Sequence, residues 1–230
     1  MEAIEKLKKQ NIDITGFSED AIREIYSDYT RILKNYNCAI REVKTKLEVL
    51  DDDFELVHEH NPIHYMASRV KTFESIIEKA IRQDVELTSE AICKNIFDIA
   101  GIRVICHYID DIYTIAELLK NQVDIKIIKE KDYIKNPKPN GYRSLHLVVT
   151  VPVFFVAGVE EIPVEVQIRT MAMDFWASLE HKLRYKSQGE IPKFIAEELS
   201  YCAKQITDSD LRMQKIHSFL NNLENNTIRE

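Results

Sequence analysis

The chain lacks the features that mark membrane, secreted and polynucleotide-binding proteins. Its 230 residues contain no apolar run long enough for a transmembrane helix, and residues 1–10 lack the apolar stretch of a signal peptide. Lys and Arg number 31 against 38 Asp and Glu, a net charge of −7, which disfavours binding of DNA or RNA through their phosphates. We therefore expect a cytoplasmic protein with no membrane or DNA partner and with RNA as a disfavoured partner.

Glycine-rich linkers, low-complexity tracts and internal repeats are also missing from the sequence. The 45% hydrophobic content can form one good core, so we predict one central domain over residues 56–190 with helical extensions at 1–55 and 191–230. The four cysteines are scattered, without the paired spacing of a zinc site, and we interpret them as reduced, mostly buried thiols: Cys38, Cys93, Cys106 and Cys202.

Hydrophobic periodicity predicts the order of helices and strands. A long amphipathic helix begins after an N-cap at Ser18 and is expected to end near Leu50, before three consecutive aspartates. Pro192 can start a second long helix. Between these two helices we predict strands at 64–71, 101–108, 125–130, 145–155 and 162–169, and helices at 72–83, 89–98, 110–121 and 170–186. The economical arrangement is an α+β fold with a mixed, five-stranded sheet flanked by helices.

Residues 138–146, KPNGYRSLH, form a turn between two predicted strands and combine cations with an aromatic side chain. Gly141 permits a positive φ or a close approach of the backbone to a ligand. Tyr142 offers a ring on which a base can stack, and Lys138 and Arg143 can meet phosphates. The competing interpretation is an ordinary hairpin loop with solvated charges.

The strand predicted at 162–169 alternates aliphatic residues with Glu165, Gln167 and Arg169, so these three polar side chains share one face. Asp98 lies at the start of the strand predicted at 101–108. Two carboxylates on neighbouring strands suit a magnesium ion that bridges nucleotide phosphates. Alternatively, an aspartate near a helix end is simply a cap or a turn former.

A third cluster runs from Arg69 through Lys71 into a helix. Ser75, Lys79 and Arg82 fall at positions i, i+4 and i+7 of that helix and therefore share one face. A solvated basic face is the usual outcome of such spacing. Because the opposite stripe is apolar and must face the core, the cationic face is free to bind polyphosphate.

Together these segments resemble the synthetase domain of the RelA/SpoT alarmone family. The resemblance covers roughly residues 60–190, and several ordered motifs at matching separations are more specific than any one of them. It rests on residues 69–71 with the following helix, 98–104, 138–146, 164–169 and the helix at 170–186. The chain is similar to the single-domain members called small alarmone synthetases, and the resemblance implies a nucleotidyltransferase-like sheet.

The resemblance implies synthesis of ppGpp and pppGpp in the stringent response. The β,γ-pyrophosphoryl group of ATP would pass to the ribose 3′-hydroxyl of GDP or GTP, which requires a cation on the migrating phosphates and a group that orients the hydroxyl. Glu165 would take the second role and would share a Mg²⁺ ion with Asp98. The long terminal helices and the family both suggest a homo-oligomer, with a homotetramer favoured.

The family motif also assigns the residues that would bind ATP. Arg69 and Arg103 would sandwich the adenine ring by planar stacking. The phosphates would be held by a set of polar and cationic side chains on the following segment, namely Lys71, Ser75, Lys79 and Arg82.

The acceptor nucleotide would be bound by residues of the 138–146 loop and the elements after it. Tyr142 would stack on guanine, Lys138 and His146 would serve the phosphates, and Gln167 would help to orient the nucleotide. Asp174 would accept hydrogen bonds from N1–H and the 2-amino group of guanine, a pair of donors that adenine does not present.

Other residues have simpler explanations. Trp176 lies on a one-sided apolar stripe and is expected in the core. His58, His60 and His64 resemble a metal cluster but lack regular ligand spacing, so we interpret them as loop residues near the site entrance. The sequence contains no His-Asp dipeptide, the mark of the hydrolase domain in bifunctional family members, so we expect synthesis only.

Two alternative functions compete with alarmone synthesis. An inactive guanine-nucleotide sensor or RNA-binding module on the same fold would be expected to lose an acid or the stacking tyrosine, yet Asp98, Tyr142 and Glu165 are all present. A nucleotidyltransferase acting on a polymer would more typically show closely spaced acids on one strand and a basic groove, and neither is found in the sequence.

Overall fold

A computed structural model describes residues 2–10, 12–57, 60–186 and 191–227. The helices are α1 (Glu2–Lys9), α2 (Glu19–Val57), α3 (Phe73–Arg82), α4 (Ser89–Asn95), α5 (Ile109–Lys120), α6 (Met171–Lys186) and α7 (Lys193–Thr227). The strands are β1 (Ile63–Val70), β2 (Ala100–Cys106), β3 (Lys126–Asp132), β4 (Leu145–Phe155) and β5 (Gly158–Thr170).

The five strands form one mixed sheet in the order β1-β2-β5-β4-β3. Only the β2–β5 pair is parallel; the other three pairs are antiparallel. The predicted α+β fold with a five-stranded mixed sheet is confirmed. Gly101 is paired with Glu165, and Gln167 lies between Arg103 on one side and His146 on the other. The central strands therefore bring the polar residues of three separate motifs onto adjacent positions.

The long helix α2 starts where its cap predicts but ends later. The Ser18 hydroxyl accepts a hydrogen bond from the Ala21 amide at 3.2 Å, as an N-cap does. The helix then continues through Asp51, Asp52 and Asp53 to Val57, so the predicted end near Leu50 is wrong. Phe54 packs against the core, and this tertiary contact outweighs the weak helix propensity of aspartate.

Helix α7 packs against α6 and covers the loop before β4. Trp176 is 5% exposed, and its Nε1 donates to the Leu199 carbonyl at 3.0 Å, so its predicted place in the core is confirmed. Gly141 has a φ of +90°, and a side chain there would collide with Ala203 of α7. No helix within the described residues is long and apolar enough to span a membrane. The partition of the chain at residues 55 and 190 stays a prediction.

Candidate active site

Two adjoining cavities lie against the polar face of the sheet. The larger one, about 830 Å³, reaches from β1 across to β3 and is bordered by α6. The smaller one, about 270 Å³, lies over β1 and β2. The wall between them is formed by residues that line both cavities, namely Arg69, Asp98, Arg103, Glu165 and Gln167. Every member of this shared wall belongs to the site predicted from the sequence.

A third cavity of about 800 Å³, between α2 and the start of β5, is unsuited to polyphosphate. Among the described residues that line it, Arg31 is the one Arg or Lys, and the carboxylates would repel an anion: Glu24, Asp28, Glu86, Glu90, Glu160 and Glu161.

Glu165 is held in its charged form by its neighbours. Burial alone would raise the pKa of this carboxyl, but the His146 hydrogen bond and charge, the Gln167 hydrogen bond and the charge of Lys79 lower it to about 2. His146 Nδ1 lies 3.2 Å from Oε1, and Gln167 Nε2 donates to Oε2 at 2.7 Å. The carboxylate is therefore available at neutral pH as a hydrogen-bond acceptor or as a ligand for a cation.

Asp98 has one oxygen paired and one oxygen free. Its Oδ2 lies 2.6 Å from Lys79 Nζ and 3.4 Å from Lys71 Nζ. Its Oδ1 is buried and has no hydrogen-bond partner among the described residues. A buried acceptor without a partner is costly, and a hard cation that also contacts Glu165 would satisfy it. The two carboxylates thus fit a Mg²⁺ ion, which prefers oxygen ligands.

Arg69 and Arg103 lie diagonally on adjacent strands. Ala67 is the direct partner of Arg103 in the β1–β2 pair, and Arg69 follows two residues later on the same face. Residues that are diagonal neighbours in this way are about 7–8 Å apart. A ring between two guanidinium groups makes one van der Waals contact on each face, and two such contacts span about the same distance. Arg103 Nη1 lies 3.2 Å from Asp174 Oδ1, and its Nε has no hydrogen-bond partner among the described residues.

The predicted phosphate-binding face of α3 is divided by the fold. Lys79 lines the larger cavity and Lys71 the smaller one, and both are anchored on Asp98. Ser75 and Arg82 are exposed and line neither cavity. The Ser75 hydroxyl accepts a hydrogen bond from Thr72, the N-cap of α3. Sharing a helical face with Lys79 does not by itself bring these two residues to the cavities.

The end of the larger cavity beside Tyr142 is lined by aromatic rings and a lysine. Lys138 Nζ lies 4.7 Å from the ring centroids of both Tyr133 and Tyr142, a cation–π geometry. The Tyr142 hydroxyl contacts His146 Nε2 at 2.8 Å. Tyr133 was not predicted as a site residue, and the only indication of it in the sequence is that it directly follows a polar strand. Arg143 lines neither cavity over the sheet and instead lines a small cavity beside α7, so the predicted phosphate contact by Arg143 is wrong.

Arg169 is the side chain that connects Tyr142, Gln167 and Asp174. It is 5% exposed, and its Nη2 donates at 2.7 Å to both the Tyr142 hydroxyl and Gln167 Oε1. Its Nη1 donates to Asp174 Oδ1 at 3.1 Å. Asp174 therefore lies between the guanidinium groups of Arg169 and Arg103 at the edge of the site. The alternation along β5 indicated that Arg169 faces the site, but no role in binding was predicted for it.

The three predicted histidines have different positions. His58 lies outside the described residues. His60 and His64 line neither of the two cavities over the sheet. His60 precedes β1 and His64 lies at its start, whereas Arg69 lies near its other end, so the interpretation as residues near the site entrance is wrong for both.

Comparison with known proteins identifies relatives over most of the chain. A family model described as "Region found in RelA / SpoT proteins" matches residues 68–190. The chain is 44% identical over 193 residues to the GTP pyrophosphokinase YwaC of Bacillus subtilis, an alignment that covers 84% of this chain and 92% of the relative.

Solved structures agree with these sequence matches. The crystal structure of small alarmone synthetase 1 from Bacillus subtilis bound to its product pppGpp has a TM-score of 0.78 at 38% identity, with 83% of this chain and 97% of that chain covered. The same enzyme bound to AMPCPP has a TM-score of 0.74 at 35% identity, with coverages of 85% and 99%.

Proposed function

The chain belongs to the RelA/SpoT family, and we propose that it is a GTP pyrophosphokinase that makes ppGpp and pppGpp. The enzyme transfers the β,γ-pyrophosphoryl group of ATP to the 3′-hydroxyl of GDP or GTP, and AMP is the other product. The name and high coverage of YwaC support this activity. Solved relatives bound to pppGpp and AMPCPP support guanine and adenine nucleotides as ligands.

The shared wall of the two cavities is the observation that carries the proposal. A transfer between two nucleotides requires that the migrating phosphate of one lie in line with the hydroxyl of the other. Asp98 and Glu165 line both cavities, so a donor over β1 and β2 and an acceptor beside Tyr142 would meet at these carboxylates. An inactive sensor would have no need of both acids at that boundary.

We assign the donor nucleotide to the side of the site that carries the cations of β1 and α3. Its adenine ring lies between Arg69 and Arg103, and Lys71 and Lys79 contact its phosphates. Asp98 and Glu165 hold a Mg²⁺ ion, which neutralises charge on the migrating phosphates. In its presence Lys71 and Lys79 would be free to turn from Asp98 toward the phosphates, whereas Ser75 and Arg82 can join them only if α3 moves.

On the acceptor side, Tyr142 stacks on guanine and Glu165 orients the 3′-hydroxyl. A carboxyl with a pKa of about 2 is a weak base, so its main contribution is a charged acceptor at a fixed position. His146 contacts both Glu165 and Tyr142, and it can therefore transmit the position of the base to the catalytic carboxylate. Lys138 contacts the acceptor phosphates once it leaves the two tyrosine rings.

A direct assay distinguishes the proposed activity from the alternatives. The protein is incubated with γ-labelled ATP, Mg²⁺ and either GDP or GTP, and the nucleotides are separated. We expect the label on a guanosine product together with formation of AMP. Release of labelled phosphate and ADP, with no label on guanosine, would indicate an ATPase and contradict the proposal. Omission of Mg²⁺ is expected to abolish the transfer.

Replacing Tyr142 separates acceptor binding from donor binding. Stacking on an aromatic side chain is worth about 1–3 kcal/mol per base, so Tyr142→Ala should raise KM for GDP or GTP about tenfold or more. Tyr142→Phe keeps the ring and should have a KM closer to the wild type. Binding of AMPCPP, measured by calorimetry without acceptor, should change little in either variant. Equal weakening of both nucleotides in Tyr142→Ala would mean that the residue is structural.

We also propose that the protein is a cytoplasmic homotetramer in which α7 contributes to the subunit contacts. The last turns of this helix expose a group of apolar side chains to solvent, which is typical of a surface that contacts another protein chain. These side chains are Met213, Ile216, Phe219, Leu220 and Leu223. Light scattering after gel filtration should give four chains for the wild type. Leu220→Lys should lower the mass, and Asn222→Lys, at an exposed polar position nearby, should not. A monomeric wild type would contradict the proposal.

A further inference from the structure

A cluster of histidines with a buried aspartate lies at the edge of the sheet where β1 begins and β2 ends, away from the proposed nucleotide site. His60 precedes β1, His107 follows β2, and Asp111 lies in the first turn of α5. One potential ligand atom from each of these residues lies within 4.8 Å of those of the other two. Cys106, next to His107, is five residues along β2 from Gly101, a separation of about 16 Å in a strand. The cluster is therefore separate from the two carboxylates of the nucleotide site.

Two of the three side chains are oriented by further hydrogen bonds. Asp111 is 8% exposed, and its Oδ2 accepts from the Tyr108 amide at 2.9 Å. His107 Nδ1 lies 3.1 Å from the Asn61 carbonyl oxygen. Because a carbonyl only accepts, Nδ1 carries a proton, and in the neutral imidazole Nε2 then has the lone pair that a metal ion needs. A histidine that binds a metal through one nitrogen usually donates the other N–H in this way.

His60 completes the group. Its Nε2 lies 3.0 and 3.1 Å from the two oxygens of Asp111. A metal ion would take the place of the proton that this pair now shares, and binding would release that proton. His217 of α7 is close by. Its ring centroid lies 4.8 Å from that of His60, and its ring stacks on that of Tyr108 with the two centroids 3.9 Å apart.

We propose that His60, His107 and Asp111 bind one Zn²⁺ ion per chain and that His217 turns to become the fourth ligand. Zinc takes four ligands in tetrahedral geometry and accepts both imidazole and carboxylate. Magnesium prefers oxygen ligands, so the two metal sites of this chain differ in selectivity. The zinc ion would link the ends of β1 and β2 and the start of α5 to the C-terminal helix α7.

Metal binding by purified variants tests the proposal. After treatment with a chelator, each protein is titrated with Zn²⁺ in a calorimeter in the presence of excess Mg²⁺. We expect one Zn²⁺ per wild-type chain and at least tenfold to hundredfold weaker binding by His107→Gln and Asp111→Asn, since these remove ligands. The amide oxygen introduced by Asp111→Asn can still accept from the Tyr108 amide. Asp110→Asn removes a carboxylate from the same helical turn and should bind zinc like the wild type.

Cobalt gives a second measurement that does not depend on the stability of any one variant. Co²⁺ bound by the wild type should show the visible absorption of a four-coordinate site, and His217→Gln should alter that spectrum. The proposal is overturned if the wild type binds no Zn²⁺, or if folded His107→Gln and Asp111→Asn, with unchanged melting temperatures in the metal-free state, bind it as the wild type does. In either case the cluster would be an ordinary histidine–aspartate ion pair.

Discussion

Glu165→Gln is expected to lower kcat by a factor on the order of 10² or more, the usual contribution of a positioned acid or base. Glutamine keeps the shape of the side chain and can still contact His146 and Gln167. It cannot bind a cation through a charged oxygen, nor can it offer the 3′-hydroxyl a charged hydrogen-bond acceptor. The rate is measured with γ-labelled ATP and saturating GDP or GTP, so that weaker substrate binding does not contribute.

A control at the other end of the same strand isolates the effect of position. Glu161 is exposed and forms a surface ion pair with Lys126 at 2.6 Å, and it lines neither cavity over the sheet. Glu161→Gln should leave kcat close to the wild-type value. Both variants should show the circular dichroism spectrum of the folded protein. Normal turnover by a folded Glu165→Gln variant would remove Glu165 from the catalytic role.

The sequence predicted those parts of the site that depend on local geometry. Alternation along a strand places Glu165, Gln167 and Arg169 on one face whatever the sheet order, and these three side chains do line the same cavity. The sharp turn at Gly141 was equally local, since the absence of a Cβ atom permits its positive φ.

Features that depend on pairing between distant segments could not be predicted. Two of the hydrogen-bond partners of Arg169, Ser144 and Tyr142, lie 25 and 27 residues away in sequence, and only the register of β4 and β5 brings them to the guanidinium group. Helical spacing could not show that Lys79 reaches the cavities while Ser75 and Arg82 do not. The same limit applies to His60, whose neighbours His107 and Asp111 are more than 40 residues away in sequence.

The structure also connects α7 to the acceptor side of the site. Gly141 lies against Ala203 of this helix, and Thr170 at the end of β5 donates to the buried Asp210 at 2.8 Å. Helix α7 therefore packs directly against the loop that carries Tyr142 and against the end of β5. If α7 also forms subunit contacts, assembly and acceptor binding are coupled through these two contacts, and Leu220→Lys should raise KM for the acceptor more than for ATP.

The second large effect is expected at Arg169, where the planar guanidinium matters more than its charge. Its Nη2 donates to the Tyr142 hydroxyl and to Gln167, and its Nη1 donates to Asp174. Arg169→Lys keeps the positive charge, but a single ammonium cannot hold all three acceptors in one plane. Hydrogen bonds to charged groups contribute about 1.5–3 kcal/mol each, and each 1.4 kcal/mol is about tenfold.

Losing two of these contacts should therefore lower kcat/KM for GDP or GTP by a factor of at least about 10², whereas binding of AMPCPP should fall much less. Arg143→Lys is the matched control, because it makes the same chemical change at a partly buried arginine. Arg143 lies in the loop that carries Tyr142 but outside both cavities over the sheet. If Arg169→Lys retains wild-type kinetics, positive charge alone is sufficient. If it weakens both nucleotides equally, Arg169 supports the whole sheet face, and the alignment of the acceptor must be ascribed to Tyr142 and His146 without it.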